Sequence, residues 1–137
     1  MKKVSRAIIL NEKGEVLLGM RIRNKGEGQW ALIGGKPDEG ESPEDAVVRE
    51  VAEEIGVIFH PSFFEDRITQ LPGEEEPWHL SVFYGPIEGT PVLKEDEVRA
   101  LQYFSREEIR SMALAFNHCE VLERFFSSEV YISPRPT

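Results

Sequence analysis

The stretch GGKPDEGESPEDAVVREVAEEIG, residues 34–56, carries eight acidic side chains in a chain whose formal net charge is already −9. Its reading depends on where those carboxylates fall. Ser42, Pro43 and Asp45 mark a helix start: a hydroxyl cap, a proline where a missing N–H is harmless, and a first-turn acid at the positive end of the dipole. Gly56 is placed to stop the helix. Between them Ala46, Val47, Val51, Ala52 and Ile55 recur at helical spacing and are predicted to face a sheet. At ~100° per residue, Glu53 lies roughly 60° to one side of Glu50 and Glu54 roughly 40° to the other, so all three share an arc of about 100°.

Crowded carboxylates repel, and a cation would remove that cost. Oxygen donors with retained waters suit magnesium or manganese. There is no HExxH pattern and only one cysteine, Cys119, so zinc is not expected. His60, His79 and His118 are scattered and are assigned no metal role. Arg49, adjacent to Glu50 and four residues before Glu53, could orient a carboxylate through its planar fork or form an ordinary helix ion pair. Upstream, the glycines of IGGK and the turn PDEGE could aim backbone groups at the same spot. Glu41, just before the cap, could fold back to hold that loop or a metal-bound water.

The rest of the chain frames this helix. At 137 residues it fits one domain, 1–137, with residues 131–137 read as a surface tail. Hydrophobic residues at 40% and charged residues at 30% are ordinary globular usage, which excludes a fibrous repeat or wholesale disorder. Near the start, Arg6 and Asn11 interrupt the apolar run, so neither a signal peptide nor a membrane span is expected. With a lone cysteine, that points to a cytoplasmic protein. The acidic balance and the lack of a basic stripe argue against a nucleic-acid polymer as partner. An anionic small molecule would need a cation to mediate its binding.

VSRAIILN and EVLLGMRIR, on either side of EKG, are predicted to form a hairpin, and QWALIGG a further strand stopped by its glycines. FFEDRITQ, HLSVFYGPI and LQYF are strand candidates separated by the turn-forming LPGEEEP and EGTPVLKED. Ser105 with Glu108 forms a capping box, and MALAFNHCEVLERFF has the spacing of an amphipathic helix covering one sheet face. Strands flanked by two principal helices give the α+β class, a mixed β-sheet flanked by helices.

Residues 35–57 resemble a complete Nudix box, with Gly35, Glu41, Arg49, Glu50, Val51, Glu53, Glu54, Gly56 and Val57 at its defined positions. Seven exact identities at background frequencies of about 5–7% each, tried at every possible start, arise by chance roughly once in a million sequences. The order of elements is similar to the family's α/β/α sandwich over nearly the whole chain. The resemblance implies hydrolysis of a nucleoside diphosphate linked to another group, dependent on Mg2+ or Mn2+. Glu50, Glu53, Glu54 and the Gly34 carbonyl would be the ligands, Arg49 would steady Glu50, and Glu41 would support the shell. Glu50 is also a candidate base. Glu97, with Glu95 as second choice, would supply an acid from a later loop.

For the substrate, two local signals diverge. GGK and AFNHCEVLERF are similar to MutT-like nucleoside triphosphate hydrolases, in which Asn117 would read a base; a helix cap is its other reading. Pro72, fifteen residues beyond the box, is close to the position of a proline found in ADP-ribose hydrolases. Ile33 stands where many relatives carry proline. Arg21, Arg23 and Lys36 are candidates to meet phosphate oxygens, and Trp30, Phe83 or Trp78 to stack a base, with core packing as the alternative for each aromatic. The expected reading is a MutT-like nucleoside triphosphate pyrophosphohydrolase, monomer or homodimer, with ADP-ribose as the second substrate class. A non-catalytic nucleotide-sensing module is the alternative of another kind, though such modules typically lose box acids and this chain keeps them all.

Overall fold

In the computed structural model, which describes residues 1–22, 28–93 and 98–131, alternation along the first strand fixes both faces of the main sheet. Strand β1 (Lys2–Ile9) sends Val4 and Ile8 into one apolar cluster and Ala7 and Ile9 into another. It pairs in parallel with β7 (Trp78–Gly85) and antiparallel with β4 (Ile33–Gly35). With β6 (Ser62–Thr69) at the edge, the order is β4-β1-β7-β6, a mixed sheet.

A second sheet has the order β3-β2-β9, from Trp30–Ala31, Val16–Arg21 and Val98–Phe104. Its central strand alternates likewise, Val16 and Leu18 into the first cluster and Leu17 into the second. The two sheets therefore act as one layer. Helix α1 (Pro43–Ile55) covers one side through Val47, Val51 and Ile55. The other side is covered by α2 (Arg106–Arg110) and α3 (His118–Phe126), the latter burying Val121, Leu122 and Phe125 completely. Each such side chain contributes about 1.5–3 kcal/mol. This is the expected α/β/α sandwich. The strands β5 (Ile58–Phe59) and β8 (Ile87–Glu88) form a separate small pair that sequence patterning did not reveal.

Four expectations are corrected. β1 and β2 do form consecutive strands around a turn, in which the Asn11 side chain accepts from the N–H groups of Lys13 and Glu15. They do not form a hairpin: a single bridge, Leu10 to Val16, joins them, and each takes its ladder partners in a different sheet. QWALIGG is two strands rather than one, because Leu32 crosses between sheets; the second of them, β4, ends at its two glycines as expected.

The third correction is the start of the last helix, which is His118 and not Met112. The preceding turn is opened by a hydrogen bond from Ala115 N–H to the Trp30 carbonyl and by a left-handed Phe116 at φ 56°. The fourth concerns the tail. Tyr131 is not a free surface residue, since its ring packs 4.8 Å from Phe126 and its hydroxyl donates to the Gly14 carbonyl. Residues 132–137 lie outside the described residues. The capping box is present, with Ser105 and Glu108 each bonding the other's backbone N–H.

Candidate active site

The acidic helix starts and stops as its sequence directs. Ser42 Oγ accepts from Asp45 N–H at 3.1 Å, Pro43 opens the first turn, and Gly56 closes the last at φ 71°. One predicted inward residue is exchanged. Ala52 is exposed and Glu54 is buried at 5% exposure, because Glu54 follows Val47 by seven residues and Val51 by three, on the same stripe. The three box glutamates thus span the boundary of the helix: Glu54 inside, Glu50 half-buried, Glu53 exposed.

Opposite them runs the glycine bend of β4. Gly34, at φ 150°, lies so close to β1 that an added Cβ would sit 2.1 Å from the Ser5 carbonyl oxygen. Its N–H donates to Glu54 Oε2 at 3.2 Å. At Gly35 an added Cβ would lie 2.5 Å from the Glu50 carboxyl carbon, so the missing side chain is the space that carboxylate occupies.

Arg49 ties the loop to the helix. Its guanidinium donates to both Glu41 oxygens at 2.9 Å, to Glu50 and Glu53 at 3.0 Å, and to the Lys36 carbonyl at 3.1 Å. Glu41 in turn accepts from Asp38 N–H, so it holds the loop, as one of its two readings had it. The hydrogen bond from Arg49, then that from Asp38, lowers the Glu41 pKa, while Glu41 and Glu50 raise that of Arg49 against the opposing effect of burial. Glu41 is thereby kept anionic and Arg49 cationic.

With Glu53 turned to Arg49 and Glu54 to Gly34, no three carboxylate, thiol or imidazole groups among the described residues are gathered tightly enough to hold an ion as they stand. The donor set still fits a hard divalent cation. It is all oxygen, and the glycine bend leaves room for one carboxylate and brings a second against its backbone.

A second group of side chains lies at the start of α3. The Phe116 ring is flanked by the guanidiniums of Arg6, at 5.4 Å, and Arg21, at 5.2 Å. Arg21 is therefore placed beside Phe116, the residue before Asn117. His118 is buried and its Nδ1 accepts from Leu32 N–H at 3.0 Å. Burial, with Arg6 and Arg21 nearby, holds its pKa well below the ordinary imidazole value, so the ring is neutral.

Asn117 occupies the N-cap position of α3 but makes no capping bond; its amide nitrogen donates to Thr69 Oγ1 at 3.0 Å, and its buried Oδ1 has no hydrogen-bond partner. Lys36 lies over the Trp78 ring at 5.2 Å, with Lys2 over the same ring. Trp30 packs edge-on to Phe104, and Phe83 and Trp78 are buried in the two cores, so these aromatics serve packing. Arg23, Glu95 and Glu97 lie outside the described residues. Sequence reasoning missed Arg6, Phe116 and His118. The available signal was Arg6, a cation on the face of β1 shared with the apolar Val4 and Ile8.

A family model described as NUDIX domain matches residues 2–125. The chain belongs to the Nudix family. It is 32% identical over 130 residues to the CTP pyrophosphohydrolase of Escherichia coli (strain K12), covering 88% of this chain and 89% of that one. It is 33% identical over 110 residues to the oxidized purine nucleoside triphosphate hydrolase of Mus musculus, covering 74% of this chain and 65% of that one. Among solved structures, the MutT protein from Methanosarcina mazei Go1 matches with a TM-score of 0.79 at 30% identity, over 92% of this chain and 93% of that one. As a Nudix hydrolase the protein is an enzyme acting on phosphoric anhydride bonds, in a family that uses divalent metal ions. No helix among the described residues is long and apolar enough to cross a membrane.

Proposed function

We propose that this Nudix hydrolase cleaves a nucleoside triphosphate into the monophosphate and pyrophosphate, with Asn117 reading the base and the box binding the phosphates through Mg2+ or Mn2+. The observation that carries the reading is the state of Asn117. A cap would explain an asparagine at that position, and the cap is not made. Thr69 satisfies one end of the amide, and the other end is left buried without a partner. Such an orphan costs about 1–3 kcal/mol, which the polar edge of a base would offset. The relatives named for nucleoside triphosphates support the same substrate class.

At the phosphate end, Glu50, Glu53, Glu54 and the Gly34 carbonyl are the proposed cation ligands. A bound divalent cation would offset phosphate charge and lower the pKa of an attacking water. Arg49 donates to Glu50 and orients it beside Gly35, and Glu41 keeps Arg49 in place. Glu97 remains the proposed acid from the later loop. Pro72, the signal for ADP-ribose, is accounted for locally. It opens a turn closed by a hydrogen bond from Glu74 N–H to the Leu71 carbonyl, with Gly73 at φ 78°.

The test is a steady-state panel with Mg2+, nucleoside triphosphates and ADP-ribose, comparing wild type with Asn117→Ala. A triphosphate should be the best substrate. The variant should lose roughly tenfold or more in kcat/KM on it, the value of a good base contact, mainly through KM. Faster turnover of ADP-ribose than of every triphosphate, or unchanged base selectivity in the variant, would rule the reading out.

A further inference from the structure

Period-two alternation in β1 puts Val4, Arg6 and Ile8 on one face, and Val4 and Ile8 belong to the core beneath α3. A cation in an apolar row breaks the pattern of the strand, and such breaks concentrate at functional sites. Arg6 lies opposite Gly34 in the β1–β4 register. Its Nη1 donates to the Leu32 carbonyl at 3.3 Å and to the Gly34 carbonyl at 3.4 Å. The same guanidinium lies over Phe116, which alone among the described non-glycine residues has a positive φ. One side chain therefore touches the carbonyl at the head of the box and the residue before Asn117.

We propose that Arg6 sets the cation affinity of the site and couples it to the nucleobase end. The inference rests on reading the Gly34 carbonyl as a cation ligand. Gly34 does not need Arg6 to hold its position: the strand register fixes it, its N–H is bonded to Glu54, and it has no room to move toward Ser5. What Arg6 adds is a full positive charge beside the ligand oxygen. Like charge at this range opposes a divalent ion, so the free protein holds its cation loosely. A base entering beside Asn117 competes for the Phe116 face that Arg6 covers. Nucleotide binding then draws the guanidinium from Gly34 and tightens the cation, and by reciprocity the cation tightens the nucleotide. Metal and substrate are taken up together.

The test measures Mn2+ binding by electron paramagnetic resonance for wild type, Arg6→Met and Arg6→Lys, first without nucleotide. Arg6→Met should bind Mn2+ about tenfold more tightly, from removal of a like charge at short range, and Arg6→Lys should stay near wild type. A gain in affinity is the opposite of what structural damage would cause. With a non-hydrolysable triphosphate present, the difference between wild type and Arg6→Met should narrow.

Equal or weaker Mn2+ binding by Arg6→Met overturns the proposal. A Glu50→Gln control separates this failure from that of the site assignment. If Glu50→Gln leaves Mn2+ binding intact, the box reading fails and the role of Arg6 falls with it. If Glu50→Gln abolishes binding while Arg6→Met changes nothing, only the inference about Arg6 is lost.

Discussion

Acidification from about pH 7.5 to about 5.5 tests the neutral state of His118 through its linkage to folding. The imidazole is buried, its Nδ1 must keep a lone pair to accept from Leu32 N–H, and Arg6 and Arg21 add positive charge nearby. Its folded pKa therefore lies well below the ordinary value, so the unfolded chain takes up the proton first. Stability is fully present above about pH 6.5 and is lost as the pH falls from there toward the folded pKa.

The unfolded imidazole takes up its proton near pH 6.5 and the folded one only at lower pH, so one pH unit below 6.5 the loss attributable to this group is at most on the order of 1 kcal/mol. Glu41 and Glu65 add losses of the same sign in a lower window, at and below the ordinary carboxylate value of 4.5. At Glu65 burial acts to raise the pKa, and the bonds from Arg124 and Arg67 more than offset it. Urea unfolding at both pH values, for wild type and His118→Asn, reads the effect. Asparagine places an acceptor where Nδ1 stood and cannot titrate. Wild type should lose more stability than the variant over this range, by up to about 1 kcal/mol. Equal losses in the two proteins would refute the neutral, bonded imidazole.

Gly35→Ala should abolish turnover while leaving secondary structure by circular dichroism unchanged, because its Cβ would displace the Glu50 carboxylate rather than backbone. Gly34→Ala should instead destabilise the fold by roughly 3 kcal/mol, since both its φ and its contact with the Ser5 carbonyl are unfavourable to a side chain; denaturant titration distinguishes the two. Ser105→Ala removes half of a complete capping box and should cost about 1 kcal/mol by the same titration without changing kcat.

The helix at the centre of the site was legible because its signals are local. Ser42, Pro43 and Gly56 act within a turn of themselves, and the carboxylate arc follows from helical period alone. Ala52 and Glu54 exchanged places because the apolar stripe was read by residue type, whereas burial follows angle. Partner choice was not legible between Asn11 and Gly14: a turn reverses the chain without stating which strands it will join. Nor was the sheet crossing at Leu32, which is decided by ladder partners more than twenty residues away in β1 and about ten away in β2. The start of α3 misled because Met112–Asn117 continues a helical apolar pattern that a left-handed Phe116 interrupts. Arg6 was visible as an anomaly in β1, but its partners Gly34 and Phe116 come together only in the folded chain.

The most direct test of the account is phosphorus NMR of the products formed from a nucleoside triphosphate with magnesium, for wild type and Glu53→Gln. Wild type is expected to release inorganic pyrophosphate and nucleoside monophosphate in equal amounts, with the rate strongly reduced in the variant. Release of orthophosphate and nucleoside diphosphate, or the same rate from both proteins, would contradict it.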